Sequence, residues 1–185
     1  MCIRDRSCLR IAELALQAGF PAGALNIVSG LGEEAGAALS NHPDINFISF
    51  TGSNEVGVLI QQAAAKHAVK CTLELGGKSP HLVFEDANLE LAAATVVRGI
   101  IQNTGQTCTA GSRLLVQQSI HDTFLALVAE KFKQVRVGTP EMNLDCGPVV
   151  NPSQQQRVNR FIEQAKAAGY PVLAQGQIDP GVPAA

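Results

Sequence analysis

The sequence predicts the α/β class, with parallel sheets covered by helices. Apolar runs of strand length, such as 45–50 and 71–75, alternate with amphipathic stripes of helix length. The connections between them are short and carry Gly, Pro, Asn and Ser. The 185 residues are 46% hydrophobic and 16% charged, which excludes a disordered chain and allows one domain or two partial ones.

Taken in order, Leu9, Ile11, Ala12, Ala15, Leu16 and Ala18 predict a first helix, stopped by Gly19 and Pro21. Residues 1–7 show no helical or strand period and read as an anomalous start outside the fold. Leu25, Asn26, Ile27 and Val28 predict a short buried strand. Gly30 and Gly32 then turn into a helix over 33–39, which stops before Pro43. The strand at 45–50 meets Thr51-Gly52-Ser53, which opens a helix with apolar residues Val56, Leu59, Ile60, Ala63 and Ala64 on one stripe. Residues 71–75 form the next strand. The pair Gly76-Gly77 suits a crossing between domains, where backbones approach closely.

A second unit starts with the strand at 81–84. Asn88 predicts a cap for a helix carrying Leu89, Ala92, Ala93, Val96, Val97, Ile100 and Ile101. A polar turn over 103–113 leads to the strand Leu114-Leu115-Val116. Ile120, Phe124, Leu127, Val128 and Phe132 mark another helix, and Gly147-Pro148-Val149 a turn. Val158, Phe161, Ile162 and Ala165 mark the last helix, which ends at Gly169. Residues 171–174 predict a strand, and the Gly/Pro-rich tail from Gly176 shows no closing element.

Net charge is −2, without a long run of one sign, so neither nucleic acid nor an anionic membrane is indicated as a partner. The five cysteines are an odd number without C-x-x-C pairs, which argues against a disulfide framework and a zinc site; no metal is predicted. That cysteine usage, with no signal peptide or membrane-length apolar run, points to the cytoplasm.

Three places carry chemistry. The turn Phe50-Thr51-Gly52-Ser53 leads a strand into a helix N-terminus, where free N–H groups and the dipole suit a pyrophosphate; Ser53 could equally be only an N-cap. Glu74 ends an apolar strand, as a structural partner of Lys78 or as a catalytic carboxylate. Cys108 lies in a donor-rich glycine turn, where a thiolate can be stabilised and reached; the plain alternative is a small structural residue. Cys2, Cys8, Cys71 and Cys146 lack that setting.

These three places resemble, in order, signatures of the aldehyde dehydrogenase superfamily. Phe50-Thr51-Gly52-Ser53-Asn54-Glu55-Val56-Gly57 is similar to the F-T-G-S-x-x-x-G nucleotide loop. Leu73-Glu74-Leu75-Gly76-Gly77-Lys78-Ser79-Pro80 is similar to the E-L-G-G-K-S/N-P run. Asn103-Thr104-Gly105-Gln106-Thr107-Cys108 is similar to the N-x-G-Q-x-C turn that follows one helix later. The resemblance extends from around Cys8 to around Ala174.

The resemblance implies an aldehyde dehydrogenase-like fold. Residues 8–75 would be the C-terminal part of a Rossmann-like NAD(P)-binding domain, and 76–185 the N-terminal part of a catalytic domain. It implies oxidation of a small-molecule aldehyde to a carboxylic acid, with NAD or NADP, through a thiohemiacetal and a thioester on Cys108. Glu74 is implied as the general base. Phe50, Thr51, Gly52, Ser53, Gly57, Leu75 and Gly76 are implied at the cofactor, with Gly30 and Gly32 bordering an adenine pocket. A homodimer or homotetramer is implied for the full-length enzyme. The family's upstream asparagine and lysine and its downstream acidic residue have no counterpart here, so the chain reads as a central segment. Two alternatives stand beside this reading: a non-catalytic fragment or homologue that keeps the motifs, and a CoA-acylating relative. Such relatives usually lack the glutamate, so Glu74 argues against the second.

Overall fold

The computed structural model describes residues 5–182. The chain forms two compact units that divide between Leu75 and Gly76. In the first, α1 (Asp5–Gln17) carries the stripe read from Leu9 onward. It begins earlier than expected, taking in residues 5–7, because a nucleated helix propagates at little cost per residue. The expectation for residues 1–4 lies outside the described residues. Gly19 ends the helix at φ +90°, with its N–H on the Leu16 carbonyl and that of Phe20 on Ala15.

The predicted strand at Leu25 to Val28 is absent. These residues belong to no sheet, and Val28 is 76% exposed. An apolar run becomes a strand only where a neighbouring strand accepts its ladder, and among the described residues none lies alongside. The helix predicted over 33–39 begins as one wide π turn, Gly32–Gly36, and continues as α2 (Ala37–Ser40).

β1 (Phe47–Gly52) pairs in parallel with β2 (Lys70–Leu75), and α3 (Asn54–Lys66) crosses between them. Ser53 caps α3, its Oγ accepting from Val56 N–H at 3.3 Å. The apolar stripe of α3 divides: Ala63 and Ala64 are buried, whereas Val56 and Leu59 are 40% and 59% exposed. Gly57 is buried, and a Cβ there would stand 2.7 Å from Leu75 Cδ2, so the glycine lets helix and strand approach.

The second unit repeats the strand–helix–strand plan. β3 (Pro80–Val83) and β4 (Arg113–Val116) pair in parallel, with α4 (Leu89–Ile101) between them in sequence. Asn88 caps α4, its Oδ1 accepting from Leu91 N–H at 3.1 Å. α5 (His121–Lys133) packs on α4. Ala93, Val96 and Val97 of α4, Val83 of β3, Phe124 and Val128 of α5, Val135 and Cys146 form the core. α6 (Pro152–Ala167) follows, with Asn151 as its cap.

Residues 171–174 are not a strand; they are irregular and mostly exposed. The strand lies further on, where β6 (Gln177–Ile178) pairs in parallel with β5 (Arg136–Val137). The tail therefore does contain a closing element, secured by Arg136 and Asp179 at 2.7 Å. At two residues it is too short to show a period.

Candidate active site

In the first unit the candidate residues gather at the carboxyl end of the β1–β2 sheet. The register sets Thr51 opposite Glu74 and Gly52 opposite Leu75. Open α/β sheets bind ligands at this end of their strands. Glu74 is exposed, and the structure records no ion pair for it among the described residues. Lys78, the alternative structural partner, donates its Nζ to the Gly77 carbonyl at 2.8 Å.

A cavity of about 680 Å³ lies beside this sheet, between the 32–36 turn, α2, β1 and the first turns of α3. Gly32 and Phe50 line it, with Val56 and Leu59. That explains the divided stripe: the exposed half of α3's apolar face is a cavity wall. Gly30 does not line the cavity; a Cβ there would stand 2.8 Å from that of Ala35, so it serves the tight entry to the helix. Thr51, Gly52 and Ser53 stand at the strand-to-helix turn rather than in the wall, and Gly57 and Leu75 pack against each other. In the second unit Gly76 faces open space, whereas a Cβ on Gly77 would stand 3.2 Å from the Cys108 carbonyl oxygen. Of the two adjacent glycines, the close backbone approach is at Gly77.

The turn that carries Cys108 is built from the end of α4. Asn103, Thr104 and Gly105 take φ of +49°, +58° and +73° in succession. Glycine accepts this region freely and asparagine tolerates it, but a β-branched threonine there is strained. Hydrogen bonds hold the strain in place. Gln106 N–H and Gln106 Nε2 both donate to the Asn103 carbonyl, each at 3.1 Å, and Asn103 Nδ2 donates to the Gln106 carbonyl at 3.1 Å. Thr104 Oγ1 donates to the Gly147 carbonyl at 3.0 Å, and Val150 N–H donates to Gln106 Oε1 at 2.8 Å. The turn is thus fastened to the 147–150 segment. On its far side Arg113 Nε donates to the Lys78 carbonyl at 2.7 Å.

Cys108 is exposed on this turn, whereas Cys8 and Cys71 are half-buried and Cys146 is buried. Cys146 donates its Sγ hydrogen to the Ile101 carbonyl at 3.5 Å. Burial, and then the charge of Asp145, push its thiol above the usual range. Accessibility therefore favours Cys108 as the reactive thiol. Cys2 lies outside the described residues. Among the described residues no cluster of His, Cys, Asp and Glu is placed to hold a metal ion.

Sequence reasoning did not find the contribution of Gln106 or of the 147–150 segment. Gln106 stood in view in the motif, but the Val150 N–H that its side chain accepts from lies 44 positions away. Val56 and Leu59 were legible as apolar, without a sign that they face a cavity.

The profile of the aldehyde dehydrogenase family matches residues 5–183. An aldehyde dehydrogenase of Emericella nidulans is 48% identical over 172 residues, covering 92% of this chain and 35% of the relative. Aldehyde dehydrogenase 9 of Polyandrocarpa misakiensis is 42% identical over 173 residues, covering 92% of this chain and 76% of the relative. The NAD+ complex of an aldehyde dehydrogenase from Bacillus cereus superposes with a TM-score of 0.87 at 43% identity, covering 91% of this chain and 35% of that structure. The chain spans about a third of the length of most of these curated relatives.

Proposed function

We propose, given that the chain belongs to the aldehyde dehydrogenase family, that it supplies the nucleophile and the hydrolytic base of an enzyme oxidising an aldehyde to a carboxylic acid. The observation that carries this reading is the exposed Cys108 on a strained turn that is hydrogen-bonded on both sides.

The residues present fit part of a nicotinamide dinucleotide. The 680 Å³ cavity lies within the range of small-molecule sites, about 300–1,000 Å³. Phe50, Val56, Leu59 and Gly32 would hold a flat apolar group there, and the capped start of α3 beside Thr51-Gly52-Ser53 would face phosphate. The Bacillus cereus relative binds NAD+, which supports NAD over an unrelated cofactor, with NADP the related option. When bound, the cofactor supplies the acceptor for the aldehyde hydride.

Cys108 provides the covalent chemistry. Its thiolate adds to the aldehyde carbon, giving a thiohemiacetal whose oxyanion the Cys108 backbone N–H helps to hold. Loss of hydride leaves a thioester on Cys108. Glu74 then takes a proton from water as the water oxygen attacks the thioester carbon, and the C–S bond breaks to release the carboxylic acid and return the Cys108 thiolate. This reading goes with a cytoplasmic, homo-oligomeric enzyme acting on a small aldehyde. No helix among the described residues is long and apolar enough to cross a membrane.

The test separates the two residues in an enzyme containing this segment. Cys108→Ala should abolish formation of both reduced cofactor and thioester. Glu74→Gln should release up to one equivalent of reduced cofactor rapidly and then stall as thioester accumulates. The stall should be about 10²–10⁴-fold, the usual worth of a general base. Stopped-flow absorbance of the reduced nicotinamide reads it. Wild-type turnover in Glu74→Gln would remove the glutamate from the mechanism.

A further inference from the structure

We infer that His81 is a positioning residue for the nucleophile turn: its imidazole is a wedge between Gly99 on α4 and Gly111 in the bend that joins Cys108 to β4. The inference rests on the reading of Cys108 as nucleophile. His81 lies in β3, opposite Leu114 of β4. A Cβ built on Gly99 would stand 3.0 Å from His81 Nε2 and 3.1 Å from Cε1, and one on Gly111 would overlap the ring outright. The same two glycines are joined directly, Gly111 N–H donating to the Gly99 carbonyl at 3.3 Å. The ring thus packs against both residues of a backbone bond that fastens the nucleophile turn to α4 near its C-terminal end.

His81 Nε2 is buried and has no hydrogen-bond partner among the described residues. Here it is the thickness of the ring that matters. A side chain at Gly111 would compete with the imidazole for the same space, and one at Gly99 would press on its edge. Between Cys108 and Gly111 the turn has little slack: Ala110 is buried, and its N–H donates to the Thr107 carbonyl at 3.1 Å. A shift at Gly111 is therefore transmitted to the thiol.

Competitive alkylation by iodoacetamide, read by mass spectrometry, compares Cys108 with Cys71 and Cys146 in the folded chain. Four forms are needed: the parent, Gly111→Ala, His81→Ala and the double variant. Gly111→Ala should change the Cys108 rate about fivefold or more, and the double variant should return it to within about twofold of the parent, the departure from additivity expected of coupled neighbours. His81→Ala alone should change the Cys108 rate while leaving the rate of Cys146, in the core of the same unit, at its parent value. That last comparison decides the matter if Gly111→Ala does not fold. Additive effects, absence of rescue, or equal changes at Cys146 and Cys108 overturn the wedge. If Cys108 in the parent reacts no faster than Cys71, the nucleophile reading itself fails. A fast Cys108 that the ring variants leave unchanged overturns the wedge alone.

Discussion

Replacing Phe124 by alanine should loosen the unit that carries the Cys108 turn without exposing anything at the turn itself. Phe124 is the largest side chain that is fully buried, at 0% exposure, in the core shared by α4, α5 and β3. Truncating a buried phenylalanine costs about 3–5 kcal/mol, because the lost transfer energy is joined by the cavity left behind. A domain of this size has about 5–15 kcal/mol in all. Cys146 belongs to the same core and serves as the reporter. Its buried thiol reacts only when the unit opens, so its alkylation rate follows the open fraction. At about 1.4 kcal/mol per decade, the change should accelerate Cys146 labelling by about two to three and a half decades. Cys108 is already exposed and should change little. Labelling with iodoacetamide at fixed pH, followed peptide by peptide, reads both thiols in one sample. An acceleration of Cys146 below about tenfold would refute the placement of Phe124 at the centre of the core, since the 10²-fold expectation follows directly from its burial. Equal acceleration of Cys108 would refute the claim that its thiol is accessible in the folded chain.

Two helix caps can be removed separately. Ser53→Ala and Asn88→Ala should each cost about 1 kcal/mol, read from urea unfolding, because each leaves an N–H at a helix start without its acceptor. Asp179 is held below the usual carboxylate range by its hydrogen bond from Arg136, with a second from Gly181 N–H. A carboxylate with a depressed pKa contributes stability above its unfolded pKa and loses it as pH falls through the folded value. The β5–β6 pairing should therefore weaken only in acid, below the ordinary carboxylate range, and Arg136→Gln should move that loss to higher pH. Amide exchange at Gln177, whose N–H is bonded to the Val135 carbonyl, measures it.

What the sequence disclosed was mostly local. The caps at Ser53 and Asn88, the stop at Gly19 and the long stripe of α4 depend on residues within a few positions, and each stands where its pattern put it. Strands depend on partners far along the chain. Leu25 to Val28 have an apolar run but no ladder, whereas Gln177 and Ile178 have an ordinary composition and a waiting edge at Arg136–Val137. The site divides in the same way. Cys108 and Glu74 could be picked out from their motifs. The left-handed backbone at Thr104 could not, because threonine does not advertise it and only the surrounding hydrogen bonds enforce it. His81 also gave no sign, since its place is defined by the two glycines that its ring packs against.

The bonds from Thr104 to Gly147 and from Val150 to Gln106 also impose an order in time. A chain made from its N-terminus presents Cys108 long before those partners exist. Until residue 150 has emerged, only the local bonds between Asn103 and Gln106 hold the left-handed turn, and its long-range fastening is missing. The turn that carries Cys108 is thus fastened late, by loop closure over more than forty residues.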